Sequence, residues 1–181
     1  MNVVIRHARA RLASPLILCL ALFSSSASAG GIFLRVPGIP GESTHPVYTN
    51  MIECYTVGSS LSRELPVGLG GRETSKPVFE PLRCVKAIDK ASVPLLTKMV
   101  NTDVLGDVTL YFVSDDYPVS PRQEIKLFNA ILNGVSQAAA GSAPQPTETL
   151  SIIYDRIETT TYGVDGSSTF FCYDLKDAVA C

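Results

Sequence analysis

Short apolar, β-branched and aromatic runs alternate with turn residues along this chain, and one stretch breaks the pattern. In 82–113, LRCVKAIDKASVPLLTKMVNTDVLGDVTLYFV, the spacing predicts a strand, a short helix and a second strand. Leu82, Cys84 and the apolar positions from Val85 to Ile88 suit a pleated, half-buried segment. Ser92 is a candidate helix cap, and Pro94 is tolerated in a first turn whose amides lack internal partners. Val93, Leu96 and Val100 fall on one helical face, with Leu95 and Met99 beside them. That stripe is expected to cover a sheet or a barrel end. The run 107–113 then returns to β-branched and aromatic residues.

Around this unit the chain reads as strands. They are expected at 31–36 (GIFLRV), 50–57 (NMIECYTV), 149–164 (TLSIIYDRIETTTYGV, the most β-rich run) and 169–175 (TFFCYDL). At 124–132 (EIKLFNAIL) a strand would place Ile125, Leu127 and Ile131 on one face and Phe128, Ala130 and Leu132 on the other. Helix propensity leaves a helix open there. The stretches 37–44 and 137–146 read as turns and small-residue loops. The stretch 58–77 is a long loop with little periodicity, whose glycines Gly68, Gly70 and Gly71 do not form a phosphate-binding Gly-Lys-Ser/Thr step. Six or seven short strands and one helix imply a mainly β domain, a small barrel or sandwich with the helix at one end.

The first 29 residues follow a different logic. Arg6, Arg9 and Arg11 precede an apolar core at 16–23 (LILCLALF), and Ala27-Ser28-Ala29 supplies small residues for cleavage. This is the pattern of a secretory signal peptide, too short to span a bilayer. The expected organisation is therefore a leader at 1–29 and one domain at 30–181, exported to the periplasm or beyond. Losing three arginines makes the domain more acidic than the formal −2 of the whole chain, which disfavours nucleic acid as a partner. No later segment is apolar enough to cross a membrane as a helix. Cys54, Cys84, Cys172 and Cys181 remain, an even number for an oxidising compartment. Of three pairings, Cys54 with Cys84 on neighbouring strands and Cys172 with Cys181 at the C-terminus are favoured. Zinc is disfavoured by their spacing.

Candidate chemistry is sparse. His45 is the one histidine of the domain and sits among prolines, where an exposed loop residue is expected; no serine occupies a nucleophile elbow. Glu53, Asp89, Asp155 and Glu158 have no spacing that pairs them, and Asp89 reads as a turn or capping residue. Asp115 and Asp116 lack the alternating ligands of a calcium loop and read as a solvated turn. Tyr55, Tyr111, Tyr154, Tyr162 and Tyr173 fall on strands, where aromatic residues ordinarily pack. No catalytic residues, cofactor or metal site are expected.

Several spans together resemble the haemolysin-coregulated protein family, Hcp, the inner-tube protein of bacterial type VI secretion. They are Ile32-Phe33-Leu34 with Gly38 and Gly41-Glu42-Ser43, then 52–58 (IECYTVG), and above all 84–96 (CVKAIDKASVPLL). The strands at 107–113 and 124–132, a long late strand at 149–162, and the closing 171–175 (FCYDL) complete the set. The resemblance implies an Hcp-like β-barrel of two antiparallel sheets with one short helix at the side. It also implies hexameric rings that stack into a tube, partners drawn from the chain itself or other secretion-system proteins, and no enzymatic activity. It assigns the stretch after the second strand, with Gly58, Leu65, Leu69, Gly70 and Arg72, a role in assembly. The leader and four cysteines depart from a cytoplasmic tube subunit. The rival readings are a monomeric periplasmic or secreted binding module on the same barrel and, last, a secreted hydrolase.

Overall fold

A computed structural model describes residues 30–64, 67–68, 71–72, 75–115, 120–141 and 145–181. The elements run β1 (Gly31–Arg35), β2 (Ile52–Gly58), β3 (Leu61–Ser62), β4 (Val67–Gly68), β5 (Gly71–Arg72), β6 (Val78–Phe79), β7 (Leu82–Ala87), α1 (Ser92–Val100), β8 (Gly106–Val113), β9 (Pro121–Ala138), β10 (Thr147–Ile153), β11 (Arg156–Tyr162), β12 (Ser168–Asp174) and β13 (Val179–Ala180). The antiparallel order β10-β7-β2-β1-β8-β9 closes on itself because β10 also pairs with β9. This closed six-stranded barrel has no free edge within its ring.

Alternation fills the barrel. Leu34, Ile52, Leu82, Cys84, Val108, Leu110, Leu150 and Ile152 point inward and are fully or almost fully buried. β1 is covered on both faces, which accounts for its near-continuous apolar run. Leu34 faces the barrel, while Phe33 stacks on Tyr48 at 4.9 Å beneath the loop that leads into β2. That loop approaches closely: a Cβ on Gly41 would lie 2.5 Å from the backbone of Ile52. His45 belongs to this lid and is buried, contrary to the exposed position expected. Its Nδ1 accepts hydrogen bonds from the amides of Val47 and Tyr48, both at 3.2 Å.

β9 is the strand about which the molecule divides. Its N-terminal half pairs with β8 on one edge and β11 on the other, and its C-terminal half with β10. The two halves are out of phase. Ile125 and Leu127 are buried in the first, Ala130 and Leu132 in the second, and between them Asn129 takes φ +52°. The segment is a strand, but the expected grouping of Ile131 with Ile125 and Leu127 fails because this irregularity inserts one residue. The anticipated single strand at 149–162 is likewise two. β10 closes the barrel, Tyr154 and Asp155 turn the corner, and β11 leaves with β12 and β13 as a three-stranded wing. Asn129 ties the corner, its Nδ2 donating to Asp155 Oδ2 at 2.6 Å.

The helix lies at the side of the barrel but is rotated from the expected face. Leu95 is 1% exposed and Met99 packs beneath the helix, whereas Val93 is 71% and Val100 81% exposed. Nor does Ser92 cap the helix. The N-cap position is Ala91, with no side-chain cap, and Asp89 shapes the turn before it by accepting from the amide of Ala91 at 2.9 Å. The stretch 58–77, expected as an irregular loop, contributes paired backbone: β4 pairs with β5 within it and β3 with β6 just beyond it, short ladders of an arm between β2 and β7.

Candidate functional site

One charge cluster lies inside the barrel. β7 turns Leu82, Cys84 and Lys86 inward, β10 turns Glu148, Leu150 and Ile152 inward, and the antiparallel register sets Lys86 opposite Glu148. Lys86 Nζ donates to Glu148 Oε1 at 2.8 Å, to Asp89 Oδ1 at 2.7 Å and to the carbonyl of Ala87 at 2.7 Å. Ser92 Oγ donates to Glu148 Oε1 at 2.8 Å, and Gln137 Nε2 donates to Glu148 Oε2 at 3.2 Å. Burial opposes ionisation of Glu148. The hydrogen bonds from Lys86, Ser92 and Gln137 outweigh it and hold the carboxyl below its ordinary value. Every member has partners, so the cluster reads as a fastener of β7, α1, β9 and β10. The signal for it was present in sequence: a lysine and a glutamate each occupy the inward phase of an otherwise apolar strand.

The cysteines occupy both regions. The structure joins Cys54 to Cys84 in the barrel core, with Cα atoms 5.7 Å apart, and Cys172 to Cys181 in the wing, with Cα atoms 5.3 Å apart. Of the residues assigned to assembly, Gly58 ends β2 at the root of the arm and Arg72 lies in β5. Leu65, Leu69 and Gly70 lie outside the described residues, as does the 1–29 segment. Leu61 and Val78, paired strands of the arm, expose their side chains. The root of the arm touches the wing, where Phe79 stacks on Tyr173 at 4.9 Å.

Sequence reasoning did not single out the wing. β12 pairs with β11 along 168–174, while β13 covers its other edge only at Tyr173 and Asp174. Among the described residues, no strand pairs the outer edge of 168–171. Phe170 (65% exposed) and Phe171 (44%) sit on opposite faces of that same stretch. A strand with an open edge and an aromatic side chain on each face is suited to accept another strand and cover it. The outward valines of α1 form a second apolar face. Among the described residues no group of histidine, cysteine and carboxylate side chains is arranged to hold a metal ion, and no helix is long and apolar enough to cross a membrane.

Comparison with known proteins agrees with this geometry. The family profile described as "Type VI secretion system effector, Hcp" matches residues 33–161. Among solved structures, the chain is similar to Hcp1 from Salmonella typhimurium, with TM-score 0.73 and 21% identity over 84% of this chain and 99% of that one. It is also similar to a structure described as a type six secretion system protein, with TM-score 0.77 and 19% identity over 84% and 100%. A type VI secretion system effector from Yersinia pestis matches with TM-score 0.68 and 18% identity over 79% and 98%. No curated protein sequence matches the chain.

Proposed function

Because the chain belongs to the Hcp family of type VI secretion, a family of structural tube proteins and not of enzymes, we propose that it is an exported subunit that closes into rings through its wing and arm. The observation that carries this reading is the open outer edge of β12 with Phe170 and Phe171 exposed on its two faces. A heterologous contact between such an edge and a different surface of the next copy closes a ring when the rotation permits. The barrel is sealed, so the assembly material lies in what leaves it: the wing, and the arm that begins at Gly58. The 1–29 leader carries the chain out of the cytoplasm and is cleaved after Ala29. Cys54–Cys84 and Cys172–Cys181 form in the compartment it reaches.

Negative-stain electron microscopy of the mature protein tests this directly. Rings are expected at high concentration, and the double variant Phe170→Asp/Phe171→Asp should abolish them while its circular dichroism spectrum stays unchanged. Rings that persist in the variant would move the interface away from the wing.

A further inference from the structure

At the first described residue, the backbone nitrogen of Gly30 donates a hydrogen bond to Asp115 Oδ1. The contact lies just past the end of the β1–β8 ladder, whose last pair is Gly31 with Val113. Little else would fit. A Cβ on Gly30 would collide with the Asp115 carboxylate, and it would lie 2.6 Å from the carbonyl oxygen of Val113 and 2.9 Å from the amide of Asp115. Gly30 and Gly31 also wall a cleft of about 450 Å³ with Phe33, His45 and Glu53. A carboxylate thus grips the one backbone nitrogen that changes charge when the chain is cut after Ala29.

We infer that cleavage after Ala29 creates an N-terminal ammonium at Gly30 that Asp115 holds as an ion pair, so that processing itself locks the end of β1 onto β8. The inference rests on the leader reading given above. In the uncut chain the Gly30 nitrogen is an amide and donates one hydrogen bond to the Asp115 carboxylate. After hydrolysis of the Ala29–Gly30 bond it carries a positive charge and three donors. What cleavage adds is the opposite charge on the donor, which turns a hydrogen bond to a carboxylate into an ion pair. The requirement for glycine then has a chemical reason, since the new terminus must approach the Asp115 side chain and the β8 backbone without a side chain of its own. Asp115, expected as one half of a solvated turn, becomes the receptor for the mature terminus.

The test combines the terminus with the carboxylate. The full chain is exported with its own leader and the N-terminus of the product is read by mass spectrometry; a start other than Gly30 would overturn the leader reading specifically. A second form is exported behind a foreign leader cut so that the product begins at Ser28, two residues early. Asp115→Asn is made in both, and thermal midpoints are measured at low and high salt. In the Gly30-initiated protein Asp115→Asn should lower the midpoint by about 2–4 °C at low salt. In the Ser28-initiated protein the loss should be half that or less, and the difference should vanish in about 1 M salt, where screening acts within about 3 Å. Equal losses in the two forms, or none in either, would overturn the ion pair while leaving the cleavage site standing.

Discussion

The barrel and the wing are made of the same kind of strand, yet they handle their backbone edges in opposite ways. In the barrel, β10 returns to β9 and leaves no edge within the ring, and even the charged side chains Lys86 and Glu148 are satisfied internally. In the wing, among the described residues, 168–171 of β12 are paired along one edge only, and Phe170 and Phe171 are exposed. The divide falls at the Asn129–Asp155 corner, where β9 passes from one partner to the other. One part of the chain is built to be self-sufficient and the other is left incomplete.

The largest effects should come from breaking the barrel side of this contrast. Lys86→Met removes the cation between Asp89 and Glu148 and leaves buried carboxylate without its partner, which should cost about 3–5 kcal/mol in chemical denaturation. A loss under about 1 kcal/mol would mean that water reaches the cluster. Leu95→Ala should cost about 2–5 kcal/mol, because Leu95 is the fully buried anchor of α1. Val93→Ala and Val100→Ala on the same helix should stay within about 0.5 kcal/mol. Equal effects at the three positions would reverse the assignment of the helix faces.

The disulfides probe both regions at once. Cys54 and Cys84 enclose a separation of 30 residues and Cys172 and Cys181 one of 9. On the loop-entropy scale, replacing the first pair by alanine should cost about 1 kcal/mol more than replacing the second. Paired urea titrations of the two double variants measure that difference, and the opposite ranking would place more of the fold's stability in the wing than in the barrel.

Acid probes the buried cluster of the barrel. The folded carboxyl of Glu148 lies below its ordinary value of 4.5, so the folded state binds its proton less readily than the unfolded state. Its contribution is fully present above that ordinary value and is lost as pH falls through the lower folded one. Stability measured from pH 7 downward should therefore drop in the acid range, and Glu148→Gln should flatten the drop. An unchanged slope in the variant would assign the acid sensitivity to other carboxylates. The smallest effect on stability belongs to Phe170→Ser, expected to stay within about 0.5 kcal/mol because the side chain is already exposed.

Much of the barrel was legible in sequence, and the reasons are specific. Gly31–Arg35 and Ile52–Gly58 announce themselves by β-branched and aromatic runs closed by turns, and Asp89 by its place before a helix. The helix face was not legible, because α1 carries two overlapping apolar stripes. What selects between them is Ser92, which bonds Glu148 inside the barrel and so turns Leu95 and Met99 inward with it. The phase change in β9 depends on one asparagine at positive φ, a conformation asparagine tolerates but does not advertise. Lys86 and Glu148 could have been found by following the inward phase of their strands. The open edge of β12 could not, since an edge is defined by which strand fails to arrive beside it.

The most direct measurement is the solution mass of residues 30–181, exported with disulfides intact, across a range of concentrations and beside the Phe170→Asp/Phe171→Asp variant. A wild-type mass that rises to the six copies the family resemblance implies, with the variant remaining at one, is the result expected if the wing closes the ring. A single copy at every concentration would contradict ring closure and leave a barrel whose exposed strand serves some other partner.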